Sequence, residues 1–95
     1  METKELSISV VVPTLRRPEE IEAFLRNLSE QDVLPLEVIV VDGAPEDDRA
    51  TESVVERLRT SFAVDLQYLR QQGGTAVQRN TGIDVAQGSL IALLD

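Results

Sequence analysis

Val38-Ile39-Val40-Val41 runs straight into Asp42, and Leu90-Ile91-Ala92-Leu93-Leu94 runs straight into Asp95, the final residue. Both runs are apolar at successive positions instead of alternating, the pattern of strands buried on both faces in a parallel sheet covered by helices. Ligands of open parallel sheets bind beyond the carboxyl ends of the strands, so two carboxylates at that rim imply one shared site.

The segments between and before these runs fit the same architecture. Ser7-Ile8-Ser9-Val10-Val11-Val12 is β-branched and apolar and predicts a first strand, which Pro13 ends because proline lacks the ladder donor. Pro18-Glu19-Glu20 opens a helix, with proline in the first turn and acids at the positive end of the dipole. Ile21, Phe24, Leu25 and Leu28 share one face of it. Leu36 to Val41 is the second strand. The turn residues and charges of 43–48 predict a loop, and Val54, Val55, Leu58 and Phe62 mark a second helix. Val64, Leu66, Tyr68 and Leu69 form a third strand ending near Arg70, and Gln71-Gln72-Gly73-Gly74 is a break. Thr75 reads as the N-cap of a third helix that turns Val77, Asn80 and Ile83 inward, with Gly88 marking its end before the fourth strand.

Strand alternating with helix, joined by right-handed crossovers, gives an α/β fold: a Rossmann-like parallel sheet with helices on both faces, for which strand order 3-2-1-4 is favoured. In that order the fourth strand is an edge. Leu90 to Leu94 is apolar on both faces and lacks the proline, bulge or inward charge that protects edges, so a natural protein continuing past Asp95 with a further strand is expected. An exposed fourth strand also predicts a homodimer through edge pairing or segment exchange.

Composition narrows the chemistry. Apolar residues make up 42% and charged residues 27% of the 95, an ordinary globular mixture that predicts one domain over residues 1–95. Without cysteine or histidine, disulfides, thiolate nucleophiles, the usual zinc ligand sets and serine-protease triads are excluded. Any metal must be a hard cation such as Mg²⁺ or Mn²⁺ on oxygen ligands. A net charge of -8 argues against nucleic acid as a partner, and an anionic ligand would need local help. Arg16, Arg17, Arg70 and Arg79 supply it, since all four belong near the carboxyl ends of the strands. No apolar run reaches the roughly 20 residues of a membrane span and the first residues lack a signal-peptide core, so the expected location is cytoplasmic, with a larger parent free to be membrane-associated.

Four ordered segments then carry a resemblance: Val11-Val12-Pro13-Thr14-Leu15-Arg16-Arg17-Pro18-Glu19, Val40-Val41-Asp42-Gly43, Gln78-Arg79-Asn80-Thr81-Gly82-Ile83, and Ala86-Gln87-Gly88-Ser89-Leu90 continuing to Asp95. In this order and spacing they resemble the nucleotide-binding half of family 2 glycosyltransferases of the GT-A fold, over nearly the whole chain. The resemblance implies a partial GT-A domain whose parent moves a sugar from a nucleoside diphosphate sugar to an acceptor hydroxyl, with a divalent cation, Mg or Mn, in the intact enzyme.

It also implies roles. Pro13, Thr14, Leu15 and Arg17 would lie along the nucleoside base, with Leu15 standing where the family commonly has an aromatic residue. Asp42, followed by Gly43 where many relatives carry a second acid or amide, would accept a hydrogen bond from the base. Arg79 with Asn80 would lie near the diphosphate, and Asp95 would be the first aspartate of the DxD motif, on the ribose side of the donor. The motif's later, metal-binding aspartate is absent, as is any general base, so the chain alone is expected to be catalytically inactive. Each role has a plainer alternative: Pro13-Thr14 as a strand-ending turn, Asp42 as an Asx-type cap of its loop, and Arg79 as a structural ion pair with Asp42 or Asp84.

Three other functional classes compete. A dinucleotide-binding oxidoreductase needs a glycine-rich turn where this chain has Pro13-Thr14-Leu15-Arg16-Arg17. A phosphoacceptor signalling domain would be acidic there, and this chain is basic. A non-catalytic interaction or nucleotide-binding module keeping only the fold stays open, because function resides in sites.

Overall fold

A computed structural model describes residues 7–94. Seven elements follow one another: β1 (Ile8–Thr14), α1 (Pro18–Ser29), β2 (Glu37–Asp42), α2 (Ala50–Arg59), β3 (Asp65–Arg70), α3 (Thr75–Val85) and β4 (Leu90–Leu93). The strands form one sheet in the order β3-β2-β1-β4, and every pair is parallel. The expected α/β class and strand order are therefore present.

Two cores sandwich the sheet. On one side Val10, Val12, Val38, Val40 and Leu66 pack with Ile21 and Leu25 of α1 and with Val54, Val55 and Leu58 of α2. On the other, Val11, Ile39 and Val41 form a smaller core against Leu69 and Ala86. This even and odd division along β1 and β2 is the strand period of two, and it explains why the runs read as continuously apolar. Burying a side chain as large as Leu25 stabilises the fold by about 2–3 kcal/mol.

Three local expectations are corrected. Pro13 does not end β1, which continues to Thr14 opposite Asp42. Leu94 donates its N–H to Val11 O, whereas Thr14 O accepts from Gly43 N–H on the β2 side. Alternation along β1 therefore turns the proline nitrogen toward the β4 side, beyond the last paired residues Val11 and Leu93, where no ladder donor is needed. Thr75 is the first residue of α3 and not its cap. Gly74 takes that position with φ 101°, a conformation suited to glycine, and its carbonyl accepts from Gln78 N–H at 3.0 Å.

Most consequentially, α3 turns Gln78 and Gly82 inward, while Val77 and Ile83 are 42% and 36% exposed and Asn80 is also exposed. Gly82 sets this orientation. A Cβ there would lie 2.4 Å from Val11 Cγ1, so the helix rides closer to the sheet than any other residue would allow. Apolar periodicity finds the wrong face because the contact face is made of small and polar residues.

The amino-end rim holds a buried carboxylate. Glu37 is 2% exposed and accepts from Ser9 Oγ at 2.6 Å, Gln67 Nε2 at 2.8 Å and Gln87 N–H at 2.7 Å. Ser9 Oγ in turn accepts from Gly88 N–H at 2.8 Å, so the turn before β4 is bolted to β1, β2 and β3 together. The edge strand β4 exposes Leu90, Ile91 and Leu93.

Candidate functional site

The carboxyl ends of β1 and β2 and the start of α3 meet at the opposite rim. A cleft of about 590 Å³ opens there, lined by Pro13, Thr14, Arg17, Phe24, Thr75, Arg79 and Leu94. A second opening of about 410 Å³ is walled by Leu15, Arg16, Gly43, Gln72, Gly73, Gly74 and Gln78. Of the residues singled out from sequence, Pro13, Thr14, Arg17 and Arg79 thus share one cavity, and Leu15 and Gly43 share its neighbour. Asp95 lies outside the described residues.

Asp42 lies beneath the rim, fully buried. Its Oδ1 accepts from Ala44 N–H at 3.0 Å, an Asx turn that closes the loop after β2. Its Oδ2 accepts from the Tyr68 hydroxyl. The cation paired with it is Arg70, whose Nη1 stands 3.7 Å from Oδ2 and donates to Tyr68 Oη at 2.7 Å. Burial, followed by the hydrogen bond and charge of Asp42, pushes the Tyr68 pKa upward, and Arg70 opposes this. Arg70 also donates to the carbonyls of Pro45 and Asp48, and Gln72 Nε2 donates to Ala44 O at 3.2 Å. The end of β3 therefore clamps the β2 loop, a job sequence reasoning did not assign to Tyr68, Arg70 or Gln72. Their two-residue spacing, which puts them on one side of an extended chain, was the available signal.

Arg16 has φ 54°, the only non-glycine residue in the left-handed region among the described residues, and its Nε lies 3.7 Å from Asp48 Oδ2. Conformations of this kind cost about 1–3 kcal/mol and gather at ligand clamps. Arg17, 3.7 Å from Glu20, is largely exposed, so their ion pair is weak, and it lines the larger cleft. The first turn of α3 faces that cleft through Thr75 with no side-chain cap bond, so its amide groups and dipole favour an anion there.

Gln78 was also missed. It is 5% exposed, and its Nε2 donates to Thr14 O at 2.9 Å and Val41 O at 2.8 Å, pinning the ends of β1 and β2 to α3. The polar i, i+4 stripe of Gln78 and Gly82 was its trace in the sequence.

No group of three or more acidic, histidine or cysteine side chains that could hold a metal occurs among the described residues. Asp42 is engaged by its own loop and by Tyr68, so the described residues do not make up a divalent-cation site. No helix among them is long and apolar enough to cross a membrane.

The model of the family described as "Glycosyl transferase family 2" matches residues 9–95. The chain belongs to glycosyl transferase family 2. It is 33% identical over 93 residues to the GalNAc(5)-diNAcBac-PP-undecaprenol beta-1,3-glucosyltransferase of Campylobacter jejuni, covering 93% of this chain and 28% of that protein. The amylovoran biosynthesis glycosyltransferase AmsB of Erwinia amylovora is 34% identical over 93 residues, covering 97% and 31%. Among solved structures, the mannosyltransferase PcManGT from Pyrobaculum calidifontis in complex with GDP-Man and Mn²⁺ superposes with a TM-score of 0.74 at 34% identity, over 94% of this chain and 27% of that one. S. aureus TarS superposes with a TM-score of 0.69 at 30% identity, over 95% and 16%. This chain thus spans about three tenths of the length of the curated relatives it matches. Family membership tells against the oxidoreductase and signalling-domain alternatives and does not favour a non-catalytic module.

Proposed function

We propose that this chain is the donor-nucleotide-binding region of a glycosyltransferase whose parent transfers a sugar from a nucleoside diphosphate sugar to an acceptor hydroxyl. The observation that carries the proposal is the meeting of Pro13, Thr14, Arg17, Thr75 and Arg79 around one cleft at the carboxyl-end rim. GDP-Man bound to a structural neighbour at 34% identity supports the same ligand class.

In this reading the smaller opening, with Leu15 and Gly43, takes the base. Asp42 supports it from below by fixing the 43–48 loop. Arg17, Arg79 and the first turn of α3 offset the charge of the diphosphate, and the resemblance assigns the ribose side of the donor to Asp95, which lies outside the described residues. A divalent cation of the intact enzyme, as with the Mn²⁺ of the neighbour, would offset charge developing on the leaving nucleoside diphosphate. Among the described residues no group of three or more acidic side chains is placed to hold it.

Calorimetric titration with UDP and GDP, with and without Mn²⁺, tests this. Binding that weakens severalfold in Asp42→Ala supports it, and indifference of the parent chain to both nucleotides refutes it. Metal-dependent transfer from UDP-, GDP- or dTDP-sugars by these residues alone would contradict the expected inactivity. The exposed edge of β4 supports a homodimer in the isolated chain, and a mass by light scattering that stays monomeric as concentration rises would exclude it.

A further inference from the structure

The order β3-β2-β1-β4 leaves two strands with a free side, and the chain treats them differently. β3 has β2 on one side only. Gln71 N–H donates to Asp42 O, so alternation along the strand turns the backbone groups of Asp65, Gln67 and Leu69 toward β2 and those of Leu66, Tyr68 and Arg70 outward. Outward groups of this kind are what an added strand pairs with.

One of them is already taken. Arg59, in the last turn of α2, donates Nε–H to Leu66 O at 3.2 Å, and its Nη1 stands 3.0 Å from Glu56 Oε1 one turn back along the helix. The guanidinium is therefore held from two sides, beside a shallow groove of about 500 Å³ that it lines together with Val64, Leu66 and Tyr68. Leu58, its neighbour in α2, packs in the same core as Leu66, which keeps the end of the helix against the strand. An incoming strand must displace a hydrogen bond from a charged donor before it can use Leu66 O. At the other edge, no side chain bonds to the backbone of Leu90–Leu93 among the described residues, and Leu90, Ile91 and Leu93 are exposed.

We propose that Arg59 closes the β3 edge against a second copy of this chain and so confines pairing between chains to the β4 edge. Symmetry gives this a consequence. Pairing through one edge closes on itself as a dimer, whereas two open edges let chains add at either end without limit. An arginine in a last helical turn also complements the helix dipole, but that role acts on stability and leaves the association of the folded chain unchanged. The inference does not rest on the donor-binding reading, since this groove and the larger cleft share no lining residue.

The test compares the parent chain with Arg59→Met, which keeps the stem but removes the donors and the charge, and with Arg59→Lys, which keeps a charged donor. Light scattering and amide hydrogen exchange are followed over a range of concentrations. The parent's mass should not pass that of a dimer, and its Tyr68 and Arg70 amides should exchange at the same rate at every concentration. In Arg59→Met the mass should rise with concentration past that of the parent. Its Tyr68 and Arg70 amides should exchange about tenfold more slowly in concentrated samples, the worth of one hydrogen bond, while Gln67 and Leu69, which already face β2, stay as they are. Arg59→Lys should restore the parent's behaviour. If β4 does not pair and the parent is a monomer, Arg59→Met should still form a dimer through β3, so the two readings fail separately. Equal masses for the parent and a folded Arg59→Met overturn the inference, as does added mass without new protection at Tyr68 and Arg70, or Arg59→Lys associating as Arg59→Met does. A parent whose Tyr68 and Arg70 amides gain protection with concentration overturns it whether or not the variants fold.

Discussion

Tyr68 is the single tyrosine of the chain, and no tryptophan masks it, so its ionisation reports directly on the Asp42 cluster. Burial and the Asp42 carboxylate raise its pKa above the ordinary value of about 10. With the folded pKa above the unfolded one, the stabilisation is fully present below about pH 10 and is lost as pH rises through the folded value. Tyrosinate absorbance should therefore develop at distinctly higher pH in the native protein than in urea, and Asp42→Asn should narrow the gap. Coincident titrations would show that the hydroxyl is not held as described. Gly82 makes a separate residue-scale claim. Its substitution by alanine brings a Cβ to 2.4 Å from Val11 Cγ1, an overpacking that costs roughly 1–3 kcal/mol against a helix-propensity gain of up to about 1 kcal/mol. The urea midpoint of Gly82→Ala should fall, and a midpoint at or above that of the parent would mean that α3 does not sit so close.

Between elements, polar side chains set the joints that apolar patterning cannot encode. Glu37 ties the turn before β4 to three other strands through Ser9, Gln67 and Gln87. Removing it in Glu37→Ala strands several buried donors and should lower stability by roughly 1.5–3 kcal/mol, with hydrogen exchange accelerated first in residues 87–91. Uniform acceleration across β1 and β2 instead would mean that the lock is not local. The sheet was legible in the sequence because β1 and β2 are buried on both faces and read as continuous apolar runs, and α1 and α2 because Ile21, Leu25, Val54, Val55 and Leu58 keep helical spacing. The face of α3 was not, since the helix packs through Gln78 and Gly82 and leaves Val77 and Ile83 in the open. For the same reason the cluster of motif residues at the rim could be anticipated, whereas the Tyr68 and Arg70 clamp and the Gln78 bridge depend on contacts between elements distant in sequence.

Across the whole molecule the two rims of the sheet have different tasks. The amino-end rim is closed by the Glu37 network, which fixes the start of β4. The carboxyl-end rim is open, and its cleft is lined by Arg17, Arg79, Glu20 and the first turn of α3, in a chain whose net charge is -8. Two guanidinium groups and a helix N-terminus against an acidic background favour an anion at that end of the sheet. Mapping amide shift changes over the whole chain on addition of GDP or UDP is the most direct measurement of that division. Changes should fall on Thr14, Leu15, Gly43, Gly73, Gly74, Thr75, Gln78 and Arg79. Changes centred on Ser9, Glu37 and Gln87, or none anywhere at millimolar nucleotide, would contradict a donor site at the carboxyl ends of the strands.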